Sequence, residues 1–430
     1  MKVSIKPGRC SGEVCAPPSK SYAHRMLICA ALADGESRIR GLARSEDMLA
    51  TLDCIAALGA EYKLDGDTVT VKGGKNKTAE GAVFPCRESG STLRFMLPIA
   101  AACGESARFT GTGRLMERGV GIYEAIFAEK GIGIKKDGGS IELSGRLTSG
   151  EYTFRGDVSS QFVTGLLFAL PLLEGGSVVR VLPPVESRAY IDVTVAVLRS
   201  FGIEITESPE NTFSIAGGQK YLRRSMSVEG DWSNAAALFA LNSLGGSVRV
   251  TGLNTDSIQG DRVCLELLER LKSPNAVIDI SNCPDLGPVL FAAAAASGVG
   301  AVFTGTRRLR IKESDRAAVM AQELRKFGVE AKVLENSVVI EPGRLQSPRE
   351  SLSGHNDHRI VMALSLLASA VGGVIDGAEA VRKSYPDYFE VLRKLGAEVE
   401  YGAYQKHENT DSRPRPDGRQ LRAGAHGQGL

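Results

Sequence analysis

One pattern occurs six times along the chain, and it restricts the possible folds more than any other feature. Each copy is an Ala- and Leu-rich run that ends near a glycine and is followed by a short alternating strand. The runs cover residues 26–41, 93–111, 162–181, 235–252, 289–305 and 361–377. Their starts lie 54 to 73 residues apart, and a long internal period of this kind indicates an array of similar supersecondary units.

Each unit contains two helices of different character. The repeated run is apolar on nearly all sides, which predicts a helix that is buried all round. The second helix is amphipathic and should have one face in water, as at 47–62, 192–205 and 316–331. With the strands around these helices, each unit is interpreted as β-α-β-α-β-β. The fourth unit is short, and 270–280 indicates a trimmed second helix.

Six such units predict an α/β fold of the α+β type with two similar globular domains of three units each. A chain of 430 residues is also too long for one compact core. A boundary near residue 226 divides the units three and three. The alternative is a solenoid scaffold, but solenoid repeats are shorter and present a uniform surface. Here the helix starts differ from copy to copy, so function is expected there.

The segments that precede the apolar runs are polar, and several carry cations. Serine at a helix start is an ordinary N-cap, but Lys20, Arg25, Arg94 and Arg359 lie where the helix dipole disfavours positive charge. An anionic ligand bound among them would offset that cost, and free N–H groups at a helix start suit phosphate. The six segments are PPSKSYAHR (17–25), CRESGSTLR (86–94), GDVSSQF (156–162), GDWSNAA (230–236), NCPDLGP (282–288) and HNDHR (355–359).

Three more stretches place charged residues near predicted loops and helix starts. The loop 113–121 carries Arg114 and Arg118 between glycines. Lys312 and Glu313 precede a helix that Ser314 is expected to cap, with Arg316 in its first turn. Lys383 precedes a helix expected to start at a proline. The repetition of basic residues at such positions favours a binding role over isolated surface charges.

Composition and missing motifs exclude several classes of function. The net charge of +2 gives no reason to expect nucleic-acid or membrane binding. Neither nucleotide-binding loop, GxxxxGK[ST] or GxGxxG, occurs, and His355 and His358 lack a third metal ligand nearby, so no metal is expected. Without a signal-peptide core or paired cysteines, a cytoplasmic location is expected.

The last residues, 404–430, differ in composition from the rest of the chain. They contain arginines, prolines and glycines but almost nothing that a core could bury. This composition predicts a disordered tail. A basic interaction arm is the alternative.

Eight stretches of the sequence together resemble one known family, 5-enolpyruvylshikimate-3-phosphate synthase, also called 3-phosphoshikimate 1-carboxyvinyltransferase. They are PPSKSYAHR, SGSTLR, RLMERG, DVSSQF, PDLGPVL, RIKESDR, NDHR and KSYPDYFEVL, spread from about residue 15 to 390. The resemblance implies two domains of three βαβαββ copies with the active site in the cleft between them. Since the N-terminal strand joins the second domain in this family, the expected domains are 13–226 and 1–12 with 227–403.

The resemblance also implies a reaction between shikimate 3-phosphate and phosphoenolpyruvate. The 5-hydroxyl of shikimate 3-phosphate attacks C2 of phosphoenolpyruvate while C3 is protonated, and the tetrahedral adduct then loses phosphate to leave an enol ether. No metal or organic cofactor is implied. The expected partners are these two small molecules only, and a monomer is expected.

The family's functional residues carry over to matching positions of this chain. Asp285 matches the base that accepts the hydroxyl proton, Glu313 matches the group that exchanges a proton with C3, and Lys20 completes the catalytic set. The expected ligands of shikimate 3-phosphate are Lys20, Ser21, Arg25, Ser159, Ser160, Gln161, Ser187, Tyr190, Asp285 and Lys312. The expected ligands of phosphoenolpyruvate are Lys20, Gly90, Arg118, Gln161, Arg316, Arg359 and Lys383.

Two departures from the family pattern and two rival functions stay open at this stage. Glu88 places a negative charge near the expected phosphoenolpyruvate site, and Arg308 stands where some members carry an asparagine. One rival is the UDP-N-acetylglucosamine enolpyruvyl transferase, which typically uses a cysteine in the loop that here reads GRLMERGVG. The other is a non-catalytic anion-binding protein on the same scaffold. Such a protein would not need Lys20, Asp285 and Glu313 together.

Overall fold

A computed structural model describes residues 1–74 and 76–402. These residues form helices and short strands that alternate along the chain, as the repeats predict. The α-helices are α1 (Lys20–Leu32), α2 (Glu46–Ala57), α3 (Gly90–Cys103), α4 (Gly121–Glu129), α5 (Ser160–Ala169), α6 (Arg188–Ser200), α7 (Trp232–Ala240), α8 (Cys264–Arg270), α9 (Gly287–Ser297), α10 (Arg316–Lys326), α11 (His358–Val371) and α12 (Tyr388–Lys394).

The strands are short, as expected for sheets that cover a helical core. The first half of the chain contains β1 (Lys2–Ile5), β2 (Ser11–Cys15), β3 (Gly35–Arg40), β4 (Glu61–Asp65), β5 (Thr68–Gly73), β6 (Ala82–Pro85), β7 (Ser106–Thr110), β8 (Gly133–Asp137), β9 (Ser140–Ser144), β10 (Glu151–Arg155), β11 (Ser177–Leu182), β12 (Ile205–Ser208) and β13 (Thr212–Ile215). The second half contains β14 (Ser225–Ser227), β15 (Ser247–Thr251), β16 (Ala276–Asp279), β17 (Ala301–Thr304), β18 (Ala331–Val333), β19 (Ser337–Ile340), β20 (Leu352–Ser353), β21 (Gly373–Asp376) and β22 (Val399–Tyr401).

The sheets repeat one topology. Five four-stranded sheets occur in the described residues, with the orders β14-β3-β5-β4, β6-β7-β9-β8, β10-β11-β13-β12, β16-β17-β19-β18 and β20-β21-β1-β22. In each, the first two strands are parallel and the other pairings are antiparallel. Parallel strands that follow each other along the chain need a crossover connection, and in four of these sheets it contains the buried helix α3, α5, α9 or α11. In the fifth, β14 comes from a distant part of the sequence to pair with β3.

The fourth unit is reduced, as its sequence indicates. Its sheet has two strands, β2 and β15, which pair in parallel from Ser11 with Ser247 to Cys15 with Thr251. Its second helix, α8, has seven residues. The β-α-β-α-β-β interpretation is therefore wrong for this unit, which lacks the final pair of strands in the described residues.

Strands close to the expected domain boundaries pair with strands that are distant in the sequence. Strand β1 pairs with β21 and β22, so the expectation that the N-terminal strand joins the second half is confirmed. Strand β14 returns to pair with β3. The expected boundaries at 13 and 226 each fall inside a strand, and we propose crossovers at 16–18 and 228–230 instead. These segments pair through Pro18 and Gly230.

Six helices form the interior of the molecule. Helices α1, α3 and α5 belong to one apolar core, and α7, α9 and α11 belong to a second. Helix α9 is buried continuously from Gly287 to Ala295, as an all-apolar run requires. By contrast, α10 buries only part of its surface. The prediction of buried first helices and wet second helices is confirmed.

The remaining sequence-based expectations concern membrane helices, cysteines and the C-terminal tail. In the described residues, no helix is long and apolar enough to cross a membrane. The eight cysteines all lie in the described part of the chain and carry free thiols, and Cys15 alone among them is exposed. The predicted disordered tail at 404–430 lies outside the described residues.

Candidate active site

The starts of buried helices from both halves face one cleft. Helices α1, α3 and α5 begin there after the N-caps Ser19, Ser89 and Ser159, and α11 begins there after Asp357. Apolar helices must be buried along their length, so their polar first turns are the parts that reach the surface of each half. The cleft therefore collects free N–H groups and polar side chains that are far apart in the sequence.

Most of the predicted site residues line this cleft together. The thirteen that do so are Lys20, Ser21, Arg25, Arg118, Ser159, Ser160, Gln161, Ser187, Tyr190, Asp285, Lys312, Glu313 and Arg316. Arg359 lines an adjoining cavity that shares Lys20, Ser21, Tyr190 and Asp285 with the cleft. Six Lys and Arg side chains line the cleft itself against two carboxylates, so it carries an excess of positive charge.

Three buried guanidinium groups at the cleft have no carboxylate partner among the described residues. Arg25 is 3% exposed, Arg94 5% and Arg359 6%, and their hydrogen bonds go to neutral acceptors. Arg25, for example, donates to the carbonyls of Ser21 at 2.7 Å and Tyr190 at 3.1 Å. Buried charge without a counter-ion is expensive. An anionic ligand would therefore gain strongly from binding here.

Lys20 occupies the first position of α1 between two acidic groups. Its Nζ lies 2.9 Å from Oδ2 of Asp47, and its backbone N–H donates to Oδ2 of Asp231 at 2.9 Å. Burial lowers the pKa of the ammonium, but Asp47 and Glu313 outweigh burial and raise the pKa above its ordinary value. Lys20 is thus a permanent cation at the bottom of the cleft.

Asp285 is an acidic group of the cleft with two cations in direct contact. Its Oδ1 lies 3.0 Å from Nζ of Lys312 and 2.8 Å from Nη1 of Arg316, and Tyr190 donates to Oδ2 at 3.2 Å. Burial alone would raise the pKa of this carboxyl, but Lys312, Arg316 and Arg359 together hold it well below the ordinary range. Asp285 is therefore ionised and able to accept a proton.

Glu313 is also ionised in the empty cleft. Its carboxylate lies 2.8 Å from Nη2 of Arg316 and 3.6 Å from Nη1 of Arg118. Burial opposes ionisation, but Arg118 and Arg316 keep the pKa of Glu313 well below its usual value. Glu313 can hold a proton only after a bound anion has drawn these cations away.

A group of hydroxyls also lines the cleft. Ser159 accepts a hydrogen bond from the backbone N–H of Gln161 at 3.3 Å, and Ser160 opens α5. Ser187 has a left-handed backbone, with φ of 55°, which is unusual for a residue other than glycine. Nη1 of Arg308 donates to Oγ of Ser187 at 2.6 Å. Hydroxyls, a helix start and a guanidinium form a suitable phosphate site.

Gly90 and Lys383 contribute differently from the other predicted residues. A Cβ atom at Gly90 would lie 2.9 Å from Cζ of Arg118, so only glycine lets this guanidinium approach the start of α3. Lys383 does not line the cleft; it forms an ion pair with Glu88 at the edge. It ends a short 3-10 helix, Ala378–Lys383, and α12 begins beyond the proline at Tyr388, so the expected proline start of that helix is wrong.

Metal ligation has no support within 1–74 and 76–402, where no group of three acidic, histidine or cysteine side chains could hold an ion. The two histidines considered from the sequence have other neighbours. Nε2 of His355 lies 3.0 Å from Glu323, while His358 begins α11 and lines the cleft. The site must therefore be interpreted from its cations, hydroxyls and carboxylates.

The sequence comparisons identify a family. Residues 5–392 match the family described as EPSP synthase (3-phosphoshikimate 1-carboxyvinyltransferase). A 3-phosphoshikimate 1-carboxyvinyltransferase from Clostridium kluyveri is 41% identical, with 93% of this chain and 98% of that protein covered. The chain belongs to the EPSP synthase family. A protein of the same name from Clostridium acetobutylicum is 38% identical, with coverages of 92% and 98%.

Solved structures show the same fold. EPSP synthase from Acinetobacter baumannii superposes with a TM-score of 0.75 at 24% identity, covering 93% of this chain and all of that one. The enolpyruvyl transferase NikO from Streptomyces tendae gives a TM-score of 0.73 at 20% identity, covering 93% and 98%. The predicted fold class and the resemblance to the EPSP synthase family are confirmed.

Several residues of the cleft were outside the predicted site. His24, Phe95 and His358 line it, as do Ser91 and Arg308. A signal was present for some of them, because His24 lies within the PPSKSYAHR segment and Arg308 within the basic stretch before Lys312.

Two buried acids of the second half were also not among the predicted site residues. Asp357 caps α11 and pairs with Arg316 at 2.9 Å, and it also accepts from Ser314 at 3.0 Å. Ser314 is therefore not the cap of α10, as expected from the sequence; Asp315 is. Asp261 lines the cavity beside Arg359.

The histidines at the cleft, His24 and His358, are neutral in the folded protein. Burial first, and then the charge of Lys20, lowers the pKa of each well below its ordinary value. In the unfolded chain each titrates near about 6.5. Between that pH and the folded pKa, the unfolded chain binds more protons, so stability falls as the solution becomes more acidic.

Replacing His24 by glutamine should therefore flatten the pH dependence of stability. From pH 7 to 5.5, the free energy of unfolding of the variant should fall by about 1 kcal/mol less than that of the wild type. The pKa of Asp261 is raised, so this group makes the free energy of unfolding fall as pH rises. Because it is present in both proteins, its effect cancels in the comparison. Urea unfolding at the two pH values measures the difference, and identical slopes would contradict the assignment of His24 as neutral.

Glu88 forms an ion pair with Lys383, so we expect it to compete with phosphoenolpyruvate for this cation. Besides this ion pair, Nδ2 of Asn356 donates to its Oε1 at 3.0 Å, so Glu88 links the two halves. Glu88→Gln keeps an oxygen for Asn356 but removes the charge. We expect KM for phosphoenolpyruvate to fall about fivefold, as for the removal of one partly screened charge. Glu80→Gln, at an exposed site, is the control; an unchanged or higher KM in Glu88→Gln would refute the competition.

Proposed function

We propose that this member of the EPSP synthase family transfers the enolpyruvyl group of phosphoenolpyruvate to the 5-hydroxyl of shikimate 3-phosphate. Phosphate is released, and the product serves the biosynthesis of aromatic amino acids. The observation that carries this proposal is a pair of buried guanidinium groups, Arg25 in the cleft and Arg359 in the adjoining cavity, that have no carboxylate partner among residues 1–74 and 76–402. A third such group, Arg94, donates to Gln161 of the cleft. Two substrates with two phosphates and two carboxylates supply the missing negative charge.

The two ends of the cleft suit different parts of the substrates. Ser159, Ser160, Ser187 and Lys312 hold the phosphate of shikimate 3-phosphate, where hydroxyls and a helix start converge. The ring and its carboxylate lie against Ser21, Arg25, Gln161 and Tyr190. The residues that surround phosphoenolpyruvate are Lys20, Gly90, Arg118, Gln161, Arg316, Arg359 and Lys383.

Asp285 accepts the proton of the 5-hydroxyl as the oxygen attacks C2 of phosphoenolpyruvate. Because Lys312 and Arg316 hold it ionised, its proton affinity in the empty site is low. A bound substrate changes this balance, since its anionic groups share the same cations. The pKa of Asp285 then rises toward the range in which general-base catalysis is efficient.

Glu313 exchanges a proton with C3 of phosphoenolpyruvate, and a bound substrate changes its pKa in the same way as that of Asp285. In the empty cleft Arg118 and Arg316 neutralise its charge. The phosphate and carboxylate of phosphoenolpyruvate take over part of these contacts, and the pKa of Glu313 rises. Lys20, a cation throughout, stabilises the negative charge on the phosphate that leaves the tetrahedral adduct.

The cleft closes around the substrates and uses side chains of one chain only. Arg308 from the second half reaches the carbonyl of Val158 at 3.0 Å and Oγ of Ser187 at 2.6 Å in the first half. Such contacts exclude water from the adduct. Since both halves of the site come from one chain, we propose that the monomer is active.

A phosphate-release assay with alternative acceptors tests the proposed reaction. With phosphoenolpyruvate present, shikimate 3-phosphate should support continuous release and UDP-N-acetylglucosamine should not, since the loop 113–121 has no cysteine. Phosphate release with UDP-N-acetylglucosamine as the acceptor, but not with shikimate 3-phosphate, would support the rival transferase. Binding of shikimate 3-phosphate in calorimetry without any release would support a non-catalytic binding protein and refute the proposal.

A further inference from the structure

The hydroxyl of Tyr190 lies between two carboxylates. It is 3.2 Å from Oδ2 of Asp285 and 3.2 Å from Oδ2 of Asp261. Asp261 belongs to a short 3-10 helix, Gly260–Val263, that leads into α8, and it has no part in the reaction as described above. The contact joins it through one side chain to the proposed base.

A single hydroxyl cannot satisfy two ionised carboxylates. Tyr190 has one proton to donate, and its pKa is raised far above the ordinary value by burial and then by Asp261 and Asp285, so it does not ionise. If it donates to one carboxylate, its oxygen faces the other. That second contact is attractive only if the second carboxyl carries a proton of its own.

The surroundings decide which carboxyl carries that proton. Asp285 has two cations at 2.8 and 3.0 Å, whereas Asp261 has no ion pair among the described residues. Asp261 is 3% exposed, and its Oδ1 is buried without a hydrogen-bond partner within 1–74 and 76–402. A buried, unpaired carboxylate is far more costly than a neutral carboxyl. Of the two carboxyls, Asp261 is therefore the one that takes the proton. It does so below its pKa of about 6 in the empty protein, and near pH 7 once anionic substrates are bound.

We propose that Asp261 is a positioning residue that holds a proton and donates it to the oxygen of Tyr190, which fixes the tyrosine hydroxyl as a donor to Asp285. The proposal rests on the proposed function, because it assigns Asp261 a part in orienting the base of that reaction. The neutral carboxyl thereby keeps the two acids from repelling each other, and it holds Oδ2 of Asp285 in place through the hydroxyl of Tyr190.

The charges around Asp261 favour its protonated form more strongly when substrates bind. Burial, and then Asp285, raises the pKa of Asp261 to about 6 in the empty protein, although Ser233 and Arg359 act in the opposite direction. Anionic substrates occupy Arg359 and add negative charge, so the pKa rises further. The groups that face Asp261 are Tyr190 on α6, Asp285 and Cys283 before α9, Asp231 before α7, Arg359 on α11, Lys20 on α1 and Cys264 on α8.

Two substitutions distinguish a neutral Asp261 that donates to Tyr190 from an ionised Asp261 that accepts from it. Asp261→Asn provides an amide that can still donate to Tyr190, whereas Asp261→Ala provides nothing. We expect kcat to fall less than about threefold in Asp261→Asn and about 10- to 100-fold in Asp261→Ala, as for a buried group left unsatisfied. Equal losses in the two variants would overturn the proposal.

Proton uptake gives a readout that a purely structural role would not change. Binding of shikimate 3-phosphate and phosphoenolpyruvate near pH 7, measured calorimetrically in buffers of different ionisation enthalpy, should take up a proton in the wild type. Asp261→Asn should lose this uptake, and Tyr190→Phe should reduce it. Uptake that is the same in the wild type and in Asp261→Asn would contradict the proposal.

The proposal can be tested even if the chain turns over different substrates. Since the folded pKa of Asp261 is raised, its contribution to stability is present at low pH and is lost as pH rises through the folded value. His24 and His358 titrate with the opposite slope in both proteins, so the test is the difference between them. In urea unfolding of the substrate-free protein from pH 4 to 7, the free energy of unfolding of the wild type should fall relative to that of Asp261→Asn. Equal profiles would refute the protonated Asp261, whereas failure of the proposed function would appear separately, as absent phosphate release in the wild type.

Discussion

Asp285→Asn is expected to reduce kcat by about 10²- to 10⁴-fold, the usual loss when a general base is removed. The amide keeps the shape of the side chain and can still accept hydrogen bonds from Lys312 and Arg316, which lie at 3.0 and 2.8 Å in the structure. Affinity for shikimate 3-phosphate should therefore stay within about threefold of the wild type. Phosphate release measures kcat, and calorimetry measures the affinity.

The control for Asp285→Asn is the same change at Asp279. This aspartate is exposed, and its carboxylate accepts from the backbone and hydroxyl of Ser281, so its substitution should leave kcat within about twofold. Near-normal turnover of Asp285→Asn would remove this residue from the mechanism. Loss of turnover together with loss of binding would assign Asp285 to substrate binding alone.

Arg316→Met should have the largest effect on stability of any substitution in the cleft. The guanidinium is 1% exposed and pairs with three carboxylates: Asp285 at 2.8 Å, Glu313 at 2.8 Å and Asp357 at 2.9 Å. Asp357 is fully buried. Removing the cation leaves buried Asp357 without a Lys or Arg partner in the described part of the chain and leaves Asp285 and Glu313 with only Lys312 and Arg118 there. The free energy of unfolding should therefore fall by about 3–5 kcal/mol.

Arg325→Met is the matched control for this prediction, since it lies on the same helix, α10. Its ion pair with Glu330, at 3.3 Å, involves side chains that are 64% and 61% exposed, so its loss should lower the free energy of unfolding by less than about 1 kcal/mol. Urea denaturation compares the two variants. Equal losses would mean that the three carboxylates do not depend on Arg316.

Repetition and helix starts made much of the fold and site predictable. An apolar run of helical length can be stable only when buried, and six such runs define the interior. Their polar starts must then lie at the surface, which is why segments as distant as Ser159–Gln161 and Lys312–Arg316 were expected to converge. Cations at helix starts, such as Lys20 and Arg25, carry a cost that an anionic ligand would offset, so the type of site could be predicted as well.

The remaining features depend on contacts between distant residues, which the sequence pattern does not encode. Ser314 and Asp315 are both good N-caps by residue type; Asp315 caps α10 because Ser314 bonds to Asp357 instead. Asp261 has no motif of its own, and its importance comes from Tyr190, which is 71 residues away. We propose a crossover at 16–18 instead of the expected boundary at 13, because β2 pairs with β15, which lies more than two hundred residues further along the chain.

The central claim is that cations and hydroxyls of both halves hold one phosphorylated substrate together. A double-mutant cycle tests it directly, with Ser160→Ala in the first half, Lys312→Met in the second, and the combination. Calorimetric titration with shikimate 3-phosphate should show weaker binding in each single variant and a coupling energy of about 0.5 kcal/mol or more in the double. Additive effects, or affinities that all match the wild type, would contradict a shared site.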